Sequence, residues 1–559
     1  MARAAESELT TRGNINRGVL KKYWIPISLT IIILVSFLLM IFSSIGDSLV
    51  VDEKVHIPAG YLHVWQGNYT FNSEHPPLLN DLAGLFAKLG NPKLPEVDLR
   101  EYQAGDQWEY GDLFFYNAGS SAQAGPEGPP FGGNNVDKIV FWARFPFILL
   151  TLGLIYLCFI WAKTVFGPKA GLLAAALVGF CPNILAHGHL ATTDIGVAFF
   201  FLLSIWLLRK YILRPTYANA FLLGLAVALA ILAKFSGLLV LPIVFGGLLY
   251  LWLFRKSKLP DVLGQFLLIL VTVFVTCFLL YIFSMRGDLT ASGWFNGPVD
   301  KFLQGYKILA EHNTTGHWNY LNGQVNSTGW WYYFPLVLWY KLTLPTLILL
   351  GLAIIFGRYK KSFIEEYLII FPIIFFLGVS MTSKIDIGIR HILPLLPFLF
   401  IFISRLAMRE NLILKPVVTG LVILHVVFGI LAYPNYIAYF NQIAGGEKGG
   451  INHLVDSNLD WNQNMKRFAK YAQENNLGKV YEYCWDSSAF SYYGIQNEFL
   501  PASPAGGPTT PIQEGTAIVC AHQLKLYQAY GYDISWITNP PTGGPPTDIV
   551  GATMYVWRF

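Results

Sequence analysis

Charge is what this chain lacks most. Asp, Glu, Lys and Arg supply 13% of its 559 residues, against roughly 25% in an ordinary soluble domain. That shortage excludes the string of about three or four soluble domains that the length would otherwise suggest. Cysteine is scarce as well, five residues in all. Cys158, Cys181 and Cys277 fall in or at the ends of apolar runs, while Cys484 and Cys520 fall in a polar tail. A Cys484–Cys520 disulfide and two buried thiols are equally open readings. No A-x-A cleavage pattern follows the first apolar run, which is too long for a signal segment and reads as a retained anchor. No internal repeat is visible.

What is present is apolar: hydrophobic residues make up 54% of the chain. A helix needs about 20 apolar residues to cross a bilayer. Candidate runs lie at 23–45, 140–162, 168–182, 193–212, 217–233, 236–254, 260–284, 335–356, 363–380, 389–407 and 412–433. About eleven spans put the two termini on opposite sides. Basic residues choose the sides. With residues 1–22 cytoplasmic, the inner segments carry Arg12, Arg17, Lys21, Lys22, Lys163, Lys169, Arg209, Lys210 and Arg214, and then Arg255, Lys256, Lys258, Arg358, Lys360, Lys361, Arg405, Arg409 and Lys415. The short opposite turns hold only Lys234, Lys384 and Arg390, as the positive-inside rule requires. The net charge of +5 is therefore a topology signal and gives no reason to invoke nucleic acid.

This orientation collects the polar features on the outer face. Loops 46–139 and 285–334 interrupt a membrane domain over 23–433, and residues 434–559 follow as an extracytoplasmic domain. In the first loop, His56 to Val64 and Pro77 to Leu89 read as amphipathic helices lying in the interface, anchored by Trp65 and Tyr69. Residues 117–135 are rich in Gly and Pro and read as a connector, with a lid as the other option. In the tail, Trp461 to Glu474 reads as a helix, and Lys479 to Trp485, Ala517 to Cys520 and Thr553 to Trp557 read as strands, giving a small α/β domain. The fold class is an α-helical polytopic membrane protein with that domain appended.

Chemistry concentrates at the ends of spans. Asp52-Glu53 follows the first span, and Glu74-His75-Pro76-Pro77 follows an amphipathic stretch. Asp52 also suits a helix cap, Glu74-His75 suits a helix start, and Asp194 suits a helix dipole. His187-x-His189 could begin a metal site but has no clear third ligand. Lys234, Arg390 and His391 could reach for headgroups. The aromatic run Trp330-Trp331-Tyr332-Tyr333-Phe334 reads as an interfacial belt more readily than as a sugar platform.

The set as a whole resembles glycosyltransferase family 39, the protein O-mannosyltransferases and their bacterial relatives, including the aminoarabinose transferases. The resemblance rests on the two acidic motifs of the first loop, on His187-Gly-His-Leu-Ala-Thr-Thr-Asp194, and on Gly224 to Lys234. It also rests on Gly329-Trp-Trp-Tyr-Tyr-Phe-Pro335 with Lys341, Arg390-His-Ile-Leu-Pro-Leu-Leu-Pro397, and Asp456-Ser-Asn-Leu-Asp-Trp461. His75 stands where the aminoarabinose transferases have lysine, and no long lectin-like insert is present. The resemblance implies a GT-C fold in a bacterial inner membrane. It implies a polyprenyl-phosphate sugar donor, mannose-like (hexose or pentose), and inverting transfer to a lipid, glycan or protein acceptor. Asp52 is the expected base, with Glu53 and Glu74 as further catalytic candidates. His75, Arg144, Asp194, Lys234, Lys341, Arg390 and His391 are the expected substrate contacts, the cations among them facing phosphate. No cofactor is called for, and a divalent metal stays open. The competing class is a transporter or flippase of a lipid-linked saccharide, which predicts repeats and charges at mid-membrane.

Overall fold

The computed structural model describes residues 2–116, 134–254, 259–289, 293–357, 363–409, 411–500, 503–504, 514–538 and 544–559, with residues 2–22 and 503–504 given by backbone alone. The Gly/Pro-rich stretch 117–133 and the basic positions Arg255, Lys256, Lys258, Arg358, Lys360 and Lys361 lie outside these residues.

Each of the eleven apolar runs is helical, but they are not eleven equal spans. Eight helices are long and apolar enough to cross a membrane: Tyr23–Gly46, Val136–Phe166, Thr193–Leu213, Phe235–Phe254, Leu259–Ser284, Phe363–Ser380, Ile389–Met408 and Leu414–Leu431. Two more runs are bent pairs. Pro168–Gly179 turns by 63° into Pro182–Gly188, and Tyr333–Lys341 turns by 114° into Leu344–Phe356. Counting each pair as one span gives ten. The last run, Tyr217–Ala233, is 17 residues long. Proline accounts for the first bend: Cys181, which precedes Pro182, is extended, as a residue before proline prefers.

The first helix shows why the surroundings must be apolar. Ile27, Ile31, Leu34, Leu38, Phe42 and Ile45 are all exposed, at steps of three and four residues. They form one continuous greasy stripe, which a soluble protein would not leave open to water. Val136–Phe166, Thr193–Leu213 and Ile389–Met408 are the well-buried spans at the centre of the bundle.

The helices of the first long loop form close to where the pattern placed them, as Glu53–Gln66 and Pro77–Ala87. Their setting differs from the expected interface plane. Glu53 through His63 are all buried, and Tyr69 is fully enclosed. Two glycines explain this. A Cβ on Gly60 would lie 1.6 Å from the carbonyl oxygen of Asn80, and one on Gly84 would meet the backbone of Gly60 at 2.0 Å. The two helices therefore cross backbone to backbone and cover each other.

The polar tail divides in two. After the helix Leu414–Leu431, residues 436–440 and 454–465 are buried in a run of short turns. The α/β module then begins with the helix Met465–Glu474. Its five-stranded sheet runs Asn497–Phe499, Val480–Tyr483, Thr516–Cys520, Met554–Arg558, Asp548–Val550. The first three strands are parallel and the last two pair antiparallel. Tyr483 pairs with Val519, so Cys484 and Cys520 follow side by side and form a disulfide. Cys158, Cys181 and Cys277 are free.

Candidate active site

The site is built on the end of the first span. The last carbonyls of a helix have no partner within it. Here Arg144, from the neighbouring span, donates to the carbonyls of Ser44 at 3.0 Å, Asp47 at 2.9 Å and Ser48 at 2.7 Å. Its remaining donors go to Glu53, Nε to Oε1 and Nη2 to Oε2, each at 2.7 Å. Glu53 also accepts from the backbone amides of Val50 and Ala191. Both side chains are fully buried. With every donor of Arg144 spent, this pair is a clasp that sets the loop. Glu53, expected in catalysis, and Arg144, expected toward phosphate, are thus engaged with each other and with the backbone. Neither group faces an open site.

The clasp leaves Asp52 at the first turn of the helix Glu53–Gln66. Its side chain makes no cap bond to that helix. It pairs with the Arg390 guanidinium, which stacks 4.3 Å over the Trp461 ring. Arg390 Nε is buried and has no partner among the described residues. On the other flank, Lys234 ends the helix Tyr217–Ala233, and its Nζ lies 2.6 Å from Asp194 Oδ1. Asp194 is fully buried, while Lys234 is partly open.

Histidines line the space between these pairs. His56 stands one turn after Asp52, and its ring lies 5.0 Å from that of His75. The charges of Lys234, Asp194 and Arg390 all reach His75. Burial pushes the His56 imidazole below its ordinary value, and that of His75 well below it. Both rings are therefore neutral near pH 7, and positive charge comes from Lys234 and Arg390. Glu74 accepts from Gln107 Nε2 at 3.4 Å. Burial, with the Asp52 charge adding to it, raises the Glu74 carboxyl above its ordinary value. His391 feels Lys234, Arg390 and Asp194 and carries a buried Nε2 with no partner among the described residues.

Asp52, Glu74, His75, Asp194, Lys234, Arg390 and His391 are thus brought into one electrostatic neighbourhood. Lys341 is not free to join them. It is buried, and its Nζ donates to the carbonyls of Ile437 at 2.8 Å and Asn458 at 2.6 Å beside the Phe440 ring. It pins the tail to the bundle, where a substrate contact was the expectation. The His187-x-His189 pair is also divided. His189 Nε2 binds Asp47 Oδ2 at 3.0 Å, and His187 faces Trp461. Among the described residues, no group of three or more His, Cys, Asp or Glu is arranged to hold a metal. The aromatic run splits too: Trp331 is exposed, whereas Tyr333 and Phe334 are buried.

Sequence reasoning missed four groups around this centre: His56, Asp456, whose carboxyl feels Arg390, Asp52 and His317, and with it His317 and His522, the latter 3.6 Å from Asp456. His56 had a signal, since it sits four residues beyond Asp52 and shares its helical face. Asp456 lay inside a quoted motif without a role. His317 and His522 had none.

Residues 136–281 match the family model described as dolichyl-phosphate-mannose-protein mannosyltransferase, the group whose motifs the sequence resembles. Among curated proteins, none matches the chain. Among solved structures it is similar to the Saccharomyces cerevisiae protein O-mannosyltransferase Pmt1–Pmt2 complex bound to the sugar donor. That similarity is 15% identity over 48% of this chain, with a TM-score of 0.34. The chain spans about a third of the length of that protein, 34%. It is also similar to ArnT from Cupriavidus metallidurans bound to undecaprenyl phosphate, at 13% identity over 94% of this chain and 97% of that one, TM-score 0.48. A third similarity is to the Archaeoglobus fulgidus oligosaccharyltransferase in its apo form, at 11% identity over 86% and 65%, TM-score 0.45.

Proposed function

We propose that this chain, whose residues 136–281 match the mannosyltransferase family model, is a membrane glycosyltransferase that takes a mannose-like sugar from a polyprenyl-phosphate donor. The observation that carries the proposal is the pairing of one accessible carboxylate, Asp52, with Arg390, beside a second cation, Lys234, whose charge reaches the same Asp194 and His75 that Arg390 does. Each cation has N–H capacity to spare: Arg390 through its orphaned Nε, and Lys234 through an ammonium whose one partner among the described residues is Asp194. A lipid phosphate is the kind of ligand that such buried donors suit, because a charged hydrogen bond is stronger away from water.

The chemistry follows from that placement. Asp52 accepts the proton of an acceptor hydroxyl as its oxygen forms a bond to the anomeric carbon. The bond from that carbon to the phosphate oxygen breaks on the opposite face, and its electron pair leaves with the polyprenyl phosphate. The configuration inverts. Lys234 and Arg390 stabilise the charge that gathers on the departing phosphate. Asp194 and Trp461 hold the two cations in place. The charge pattern of the loops supports an extracytoplasmic centre and tail module with residues 1–22 in the cytoplasm, counting the 17-residue helix Tyr217–Ala233 as the eleventh crossing.

The test is purified protein in detergent with polyprenyl-phosphate mannose and a pentose counterpart, scored by mass spectrometry for released or transferred sugar. Wild type should consume a donor. Asp52→Asn keeps the shape but removes the base and a counter-charge of Arg390, so turnover should fall about 10²-fold or more, with elution unchanged and melting somewhat lower. Near-normal turnover of Asp52→Asn would sink the assignment and move suspicion to Glu74.

A further inference from the structure

The scheme above takes only the Trp461 ring from the tail, yet the tail also sends a carboxylate into the centre. Asp456 is buried, and its backbone adopts a left-handed conformation at φ 58°. Its interactions reach Arg390, Asp52 and His317. One oxygen accepts from the Ser457 amide at 2.6 Å. The other lies 3.6 Å from Nδ1 of His522, too far for a hydrogen bond.

His522 is wholly buried and rigidly held. Its ring packs on Trp485 with centroids 4.0 Å apart, and its backbone amide faces Asp460 Oδ2 at 3.3 Å. Nε2 is 2.8 Å from the Tyr530 hydroxyl. Burial drives the His522 imidazole down to about 3, so the ring is neutral. The Asp456 carboxylate facing Nδ1 favours the ring proton on Nδ1, and in that tautomer Tyr530 donates to Nε2. That Nδ1–H lies 3.6 Å from Asp456 Oδ2 and has no hydrogen-bond partner among the described residues; nor has Gln523 Oε1, buried on the next residue. An acceptor and a donor 3.6 Å apart can both be satisfied by one oxygen about 2.8 Å from each. A hydroxyl does this: it donates to Asp456 Oδ2 and accepts from His522 Nδ1–H.

We propose that Asp456 and His522 form the acceptor subsite and hold a second hydroxyl of an acceptor whose first hydroxyl gives its proton to Asp52. The acceptor is then a polyhydroxylated group, a saccharide or polyol, and not a lone serine or threonine side chain. This rests on the glycosyltransferase reading and names its acceptor class. Asp456 touches the acceptor; Trp485 and Tyr530 are positioning residues that fix the His522 ring.

The test uses the full chain with polyprenyl-phosphate mannose and separate acceptors. Methyl α-mannopyranoside, methyl α-glucopyranoside and glycerol offer several hydroxyls, while ethanol and N-acetylthreonine amide offer one. The readout is the ratio of glycoside to free sugar, with KM and kcat for each acceptor. Wild type should favour the polyols. Asp456→Asn keeps the backbone, since Asn also adopts the left-handed region. Asp456→Asn and His522→Gln should each raise the KM for the preferred polyol by about tenfold or more, shift the ratio toward free sugar, and change kcat far less. A wild type that prefers N-acetylthreonine amide, or glycosylates none of the polyols, overturns the proposal. So do variants with unchanged KM, or with kcat lost and KM kept. A wild type that leaves the donor intact overturns the glycosyltransferase reading itself, which separates the two failures.

Discussion

Glu53→Gln separates scaffold from chemistry at this centre. Four N–H donors converge on the Glu53 carboxylate: Arg144 Nε and Nη2 at 2.7 Å each, Val50 N at 3.1 Å and Ala191 N at 2.8 Å. An amide accepts at one end only. Whichever way the glutamine turns, its NH2 faces donors, and the buried Arg144 loses its counter-charge. Breaking one side of a buried ion pair costs about 3–5 kcal/mol. That is a large share of the roughly 5–15 kcal/mol by which folded domains are stable. Glu53→Gln should therefore express poorly or melt well below wild type in detergent.

The double variant Glu53→Met/Arg144→Met sharpens the test. It removes both charges, which for an isolated buried pair is often neutral or better. Here it also strips partners from the carbonyls of Ser44, Asp47 and Ser48 and from the amides of Val50 and Ala191. Each buried group left unmet costs about 1–3 kcal/mol. The double variant should stay clearly destabilised. Thermal unfolding followed by tryptophan fluorescence, with sugar release assayed below the melting range, reads both quantities. If Glu53→Gln melts with wild type and loses turnover about 10²-fold, Glu53 acts on substrate and the clasp argument is wrong.

How far this was legible follows from where each signal lives. Asp52, Lys234 and Arg390 could be picked out because each interrupts or ends an apolar run, where a charge must have a partner or a task. Their partners could not, since Asp52 and Arg390 are 338 residues apart and only the folded bundle joins them. Arg144 illustrates the cost of that gap. A cation at a span end looks like a phosphate ligand until the carbonyls around it are counted. Lys341 misled in the same way, its charge met by two tail carbonyls that no local pattern announces. The run 168–182 stops at the break that Pro182 imposes, but the residues after it gave no sign of the short helix Pro182–Gly188. The first-loop helices were recognisable by period. That they are buried depends on Gly60 and Gly84, which only their crossing reveals. The disulfide was undecidable until the register of Val480–Tyr483 against Thr516–Val519 set its two cysteines together.

Two further substitutions test the electrostatics. Lys234→Met leaves the buried Asp194 carboxylate without its cation, so it should lose both stability and donor use. Lys234→Met/Asp194→Asn should regain the fold but not the activity, and an unchanged donor saturation curve for Lys234→Met alone would refute both roles. Glu482→Gln tests the tail module by pH. Glu482 is buried in the strand Val480–Tyr483, and burial pushes its carboxyl up to about 7 against the opposing pull of Ser487 and the Cys484 amide. A raised value means that the fold prefers the protonated acid. The contribution is whole below the unfolded value of about 4.3, drains as pH rises, and is gone above about 7. Burial raises Asp460 and Asp386 to about 7 as well, so the whole-protein slope is shared and the difference between variant and wild type isolates Glu482. Glutamine mimics the protonated acid at every pH. Thermal unfolding of the two proteins should coincide at acid pH and separate at pH about 8, with Glu482→Gln melting higher. A variant that melts lower at pH about 8 would mean that the fold holds Glu482 ionised, and the sign of this argument would be reversed.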